Sequence, residues 1–146
     1  MIKERYCSYE VARLLKEKGF PQDYDLYHSM VYNEEDYEDE YEVQRMVTQT
    51  RLVKAGTLSS YPAGVSGPKC FCPTHQMACD WMIEAHHICI TIYPDKEKGF
   101  EAVLYNTEFN VEITLQSFGI YGYHIFENSY GKAVETALKY VLENLI

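Results

Sequence analysis

The segment Ile88–Tyr105 restricts the fold more than any other part of the chain. Ile88, Ile90 and Ile92 alternate with Cys89, Thr91 and Tyr93, Pro94-Asp-Lys-Glu-Lys-Gly99 intervenes, and Phe100–Tyr105 resumes an extended pattern. Alternation of this kind marks strands with one face turned to a core. The link is far shorter than the roughly dozen residues that a parallel crossover needs, so the two strands must pair antiparallel as a hairpin.

Helical periodicity brackets this hairpin. Cys7, Val11, Leu14 and Leu15 recur at helical spacing, Ser8 stands where an N-cap is wanted, and Gly19-Phe20-Pro21 supplies a stop, which predicts a helix over 8–18. Pro73-Thr74 opens a second helix over about 74–86, with Met77, Ala78, Trp81, Met82 and Ala85 on one face. Ser129 caps a third over about 130–144, where Val134, Ala137, Leu138, Val141 and Leu145 form a single stripe. Leu14, Trp81, Leu138 and Val141 are expected to share one core.

The aromatic, β-prone run Tyr24–Tyr32 and part of Tyr41–Val53 predict a second hairpin across an acidic segment, with a helix over 42–54 as the alternative. Residues 55–69, with Gly56, Gly64, Gly67, Pro62 and Pro68, read as a loop. Further β-rich pieces lie near 109–116 and 120–126. The order α-β-β-α-β-β-(β-β)-α, with short turns between strands, predicts an α+β fold: an antiparallel sheet built from hairpins with three helices packed on one face. Helix-then-hairpin occurs twice, a coarse pseudo-duplication.

A length of 146 residues predicts one domain over 1–146, and 47% hydrophobic against 24% charged residues is enough apolar material for a sizeable core. No unbroken apolar run approaches the about 20 residues of a transmembrane helix. The Met1–Tyr6 segment passes into the first helix without the apolar stretch of a secretory signal, and neither end carries a lipidation or retention motif. The expected location is therefore cytoplasmic, and five cysteines, an odd number, are expected there as reduced thiols.

Of the net charge of −9, Glu34, Glu35, Asp36, Glu38, Asp39, Glu40 and Glu42 account for seven, with no Lys or Arg among them. The 13 Lys and Arg residues form no basic stripe, so phosphate backbones and anionic membranes would repel the chain, and direct nucleic-acid or membrane binding is not expected. A basic partner is. The segment has a bland reading, a solvated hairpin tip that blocks strand-edge pairing, and a sharper one. In the second, Glu35, Asp36, Glu38 and Asp39 imitate phosphates while Tyr37 and Tyr41 supply anchoring surface for a basic protein. The order lacks the glycine and closing Glu of a calcium-binding EF-hand loop.

Cys70-x-Cys72-x2-His75-x3-Cys79 is the cluster with metal-like spacing, since His75 and Cys79 lie one turn apart on the second helix just after the two cysteines. Four such ligands could hold zinc tetrahedrally, which would allow a small zinc- or thiol-dependent enzyme. The pattern lacks the second half of the common zinc modules, so buried thiols with no metal and no cofactor are the simpler expectation. A nucleophile built from Cys89 with His86 or His87 is disfavoured because strand neighbours point to opposite faces. The Ala63–Lys69 loop lacks Walker spacing. With 14 tyrosines, a small ligand enclosed over a tyrosine-rich sheet is a third reading.

Three stretches, Cys7–Phe20, Pro73–Met82 and Ala137–Ile146, resemble a group of small uncharacterised proteins found in prophages and mobile elements of Bacteroides-type gut bacteria. The resemblance covers the three helices and implies a shared fold; it carries over no catalytic residue. His75 and Cys79 stand where that group would be expected to have apolar residues. The resulting functional expectation is a non-enzymatic accessory protein of mobile-element type that binds another macromolecule.

Overall fold

The structure, a computed structural model, describes residues 5–22, 30–38, 46–54 and 68–146. It is α+β with antiparallel pairing in both of its sheets, as the short strand links require. The chain packs into two compact units, Ser8–Pro73 and Met1–Cys7 with Thr74–Ile146.

In the Ser8–Pro73 unit, helix α1 spans Tyr9–Glu17 and Ser8 Oγ accepts a hydrogen bond from Val11 N at 3.2 Å, the expected cap. Val11, Ala12, Leu14 and Leu15 are its buried stripe. Gly19 follows at φ +95°, a conformation that favours glycine, and turns the chain so that the Phe20 ring stacks on Phe71 at 6.1 Å. Strands β1 (Met30–Glu38), β2 (Met46–Lys54) and β3 (Pro68–Phe71) form a sheet in the order β2-β1-β3, with α1 packed on β3.

The expected hairpin exists but its first strand is displaced. Rather than ending at Tyr32, β1 begins at Met30 and carries Glu34, Glu35, Asp36, Tyr37 and Glu38 into the ladder, paired with β2 from Met30↔Lys54 to Glu38↔Met46. The ladder uses backbone groups alone, and the β-propensity penalty of an acidic residue is a fraction of about 1 kcal/mol, so nine consecutive pairs outweigh it. Residues 46–54 are strand, which settles the helix alternative there. The expected strand residues 24–29 and 41–45 lie outside the described residues, as does 55–67 of the expected loop. Pro68 and Lys69 instead open β3, where a first-position proline forfeits little pairing.

The other unit contains α2 (His75–His86), β4 (Ile88–Asp95), β5 (Gly99–Asn106), β6 (Val111–Glu112), β7 (Ile125–Glu127) and α3 (Tyr130–Asn144). The hairpin pairs Ile90 with Leu104 and Ile92 with Ala102, and β6 and β7 both pair with β5. Asp95 Oδ1 closes the turn by accepting from Glu97 N and Lys98 N at 2.9 and 2.8 Å. Gly99 follows at φ +90°, where a Cβ would collide with the carbonyl oxygen of Glu127. The β-rich pieces near 109–116 and 120–126 shrink to two and three strand residues around a 3-10 turn, Gly119–Tyr121. Of their apolar residues Leu115 and Ile125 are buried in the core, whereas Phe109 is 69% and Ile120 91% exposed.

Helix α3 buries Ala133, Val134, Ala137, Leu138, Tyr140, Val141 and Leu142 and packs against β4, β5 and β7. Helix α2 departs from expectation. Only Ala78 and Met82, one turn apart, are buried on it; Trp81 is half-buried, Met77 is 45% exposed and Ala85 is exposed. Of the residues expected to share a core, Leu14 is buried in the Ser8–Pro73 unit and Leu138 and Val141 are buried in the other.

Candidate functional sites

Four of the acidic positions lie on β1 in the Ser8–Pro73 unit. Glu34, Glu35, Asp36 and Glu38 are paired across the ladder with Thr50, Gln49, Thr48 and Met46, so none of the four has a basic residue directly opposite. Arg51 sits opposite Asn33, one step outside the acidic positions. Tyr37 is opposite Val47. Asp39 and Tyr41, also expected in this surface, lie outside the described residues.

A second site assembles in the other unit around His75. Thr74 Oγ1 caps α2 by accepting from Met77 N at 3.2 Å, which places His75 at the first helical position. The N-terminal segment runs alongside: Tyr6 bridges Thr74 antiparallel, and His75 N donates to Arg5 O at 2.8 Å. This short ladder brings Cys7, 1% exposed, beside His75, and the Cys7 thiol points at Thr74 O at 3.9 Å. From α3, Glu135 Oε1 accepts from His75 Nε2 at 2.9 Å, with the two side chains 23% and 13% exposed. One ligand atom from each of Cys7, His75 and Glu135 lies within 4.8 Å of the other two. The remaining ring nitrogen, His75 Nδ1, is buried and has no hydrogen-bond partner among the described residues.

The spacing Cys70, Cys72, His75 and Cys79 therefore points at one member of a converging group and misses the other two. His75 is in the group; Cys79, on the same helix, is not, and Cys70 and Cys72 belong to the Ser8–Pro73 unit. All five cysteines are outside any disulfide. Burial pushes the Cys70 thiol pKa up, partly offset by the charges of Lys16 and Arg13. Burial, then the charges of Asp80 and Cys89, pushes Cys79 from 9.0 to about 11. Neither is held as a thiolate. Cys89 Sγ meets Thr91 Oγ1 at 3.9 Å, while the His86 ring stands edge-to-face with Trp81 at 4.8 Å, so these residues turn to other neighbours.

His75 also lines a cavity of about 230 Å³ with Arg5, Gln76, Cys79 and Tyr130. A larger cleft of about 500 Å³ lies between α3 and the Gln116–Phe118 segment, and Tyr140 is its single tyrosine. Among the described residues no helix is long and apolar enough to cross a membrane. No protein-family model matches the chain, and no curated protein or solved structure matches it either.

Sequence reasoning missed Cys7 and Glu135 as partners of His75 because 68 and 60 residues separate them from it. The one local signal was the Pro73-Thr74 start, which puts the next residue in the first turn of a helix, where it can meet the preceding chain.

Proposed function

We propose that this is a small non-enzymatic accessory protein of mobile-element type, acting in the cytoplasm by binding a basic protein partner through the acidic, tyrosine-containing segment. The observation that carries this reading is the run of carboxylate positions on β1, opposite neutral residues on β2. A neighbouring Lys or Arg would neutralise such a run; without one directly across the ladder, the field is available to an approaching cation. Glu35, Asp36, Tyr37 and Glu38 lie on the strand, and Asp39 and Tyr41 continue the segment in sequence. The same field disfavours nucleic acid and anionic lipid as partners.

The test compares the wild type with a variant carrying Glu35→Gln, Asp36→Asn, Glu38→Gln and Asp39→Asn. A partner is captured by cross-linking in the source cells, produced recombinantly, and its association kinetics are followed across a salt series. The on-rate should drop about tenfold or more in the variant and lose most of its salt dependence, with the melting temperature unchanged or slightly raised. An on-rate indifferent both to salt and to the four substitutions would return the segment to a solvated, solubilising role.

A further inference from the structure

We propose that Cys7, His75 and Glu135 form a binding site for one Zn²⁺ ion. The three come from the N-terminal segment, the first turn of α2 and the middle of α3, and all lie in one compact unit. Thiolate, imidazole and carboxylate together suit a borderline-soft ion; Mg²⁺ and Ca²⁺ prefer oxygen ligands. In a tetrahedral site with metal–ligand bonds of about 2.0–2.3 Å, ligand atoms stand about 3.3–3.8 Å apart. The three atoms here are already within 4.8 Å of one another, so closing on an ion asks for about an ångström of side-chain movement.

Among the described residues, hydrogen bonding leaves one nitrogen of the trio without a partner. Nδ1 of His75 is buried with no partner while Nε2 is committed to Glu135, and a group left in that state costs about 1–3 kcal/mol. On binding, the ion takes the place of the proton on His75 Nε2, which passes to Nδ1 so that the ring stays neutral, and it displaces the Cys7 thiol proton, which is released to solvent. Three protein ligands leave a fourth position for a water, and one of the three, His75, also lines the cavity with Arg5, Gln76, Cys79 and Tyr130.

The experiment titrates the full chain, reduced and under nitrogen, with Co²⁺ and then displaces it with Zn²⁺. The expected result is one Co²⁺ per chain, with tetrahedral visible absorption and a thiolate-to-cobalt charge-transfer band. Cys7→Ser should abolish that band. Glu135→Gln, at a more exposed and structurally milder position, should weaken binding at least about tenfold with the fold intact by circular dichroism. Cys89→Ser, which alters a thiol outside both the trio and the cavity, should keep both stoichiometry and band. No charge-transfer band at one equivalent in the wild type would overturn the proposal, as would a band that survives both Cys7→Ser and Glu135→Gln.

Discussion

His75 Nε2 and Glu135 Oε1 meet at 2.9 Å across 60 residues of chain, tying the first turn of α2 to the middle of α3. With side chains 13% and 23% exposed, the pair stands between a surface ion pair, whose net value is about 0–1 kcal/mol, and a buried one, where loss of a single partner is severe.

The expected consequence is a measurable coupling. Glu135→Ala should destabilise by about 1–3 kcal/mol, because it leaves the imidazole with both ring nitrogens unmatched, and Glu135→Gln should cost less because an acceptor oxygen remains. A double-mutant cycle with His75→Ala should give a coupling of about 0.5–2 kcal/mol in urea denaturation. A coupling below about 0.3 kcal/mol would mean the pair behaves as an exposed one.

Helix α2 provides a second, contrasting pair of substitutions. Met82 is fully buried and Met77 is 45% exposed on the same helix, five residues apart. Met82→Ala should cost about 2–5 kcal/mol through the cavity it leaves, and Met77→Ala about 0.5 kcal/mol or less. Equal shifts in denaturation midpoint would contradict this facing of the helix.

Helix ends and tight turns were legible because they depend on neighbours in sequence. Ser8, Thr74 and Ser129 each accept from the backbone three residues on, at 3.2 Å, where serine or threonine before a periodic run predicts it. The Pro94–Gly99 link delivers the β4–β5 hairpin for the same reason. Which residues of α2 face inward was not legible, since a helix carrying Met77, Ala78, Trp81, Met82 and Ala85 offers a wide apolar arc and its neighbours choose how much to cover. The course of β1 through Glu34–Glu38 was not legible either, because pairing with β2 overrides local propensity. The trio at His75 depends on Tyr6 bridging Thr74 and on the placement of α3, relationships with no local trace in the chain.

Cys79 supplies a prediction whose sign follows from its surroundings. It is half-buried on α2, and burial, followed by the negative charges of Asp80 and Cys89, raises its pKa from 9.0 to about 11. The folded state therefore favours the protonated thiol more than the unfolded state does. The stability this contributes is fully present below about pH 9 and is lost as pH rises from there through about 11. At pH 8 the thiolate fraction is about 100-fold below that of an ordinary cysteine, so native-state alkylation of Cys79 by iodoacetamide should be slower by a similar factor. Peptide mass spectrometry across a pH series should place the midpoint of the Cys79 rate profile near 11, and Asp80→Asn should lower it by less than unfolding does, burial being the larger cause. The fall in denaturation midpoint between pH 9 and 11 should flatten in Cys79→Ser. A Cys79 profile in the native protein centred near that of an unfolded thiol would show that the side chain reaches solvent freely, and would remove it from the wall of the His75 cavity.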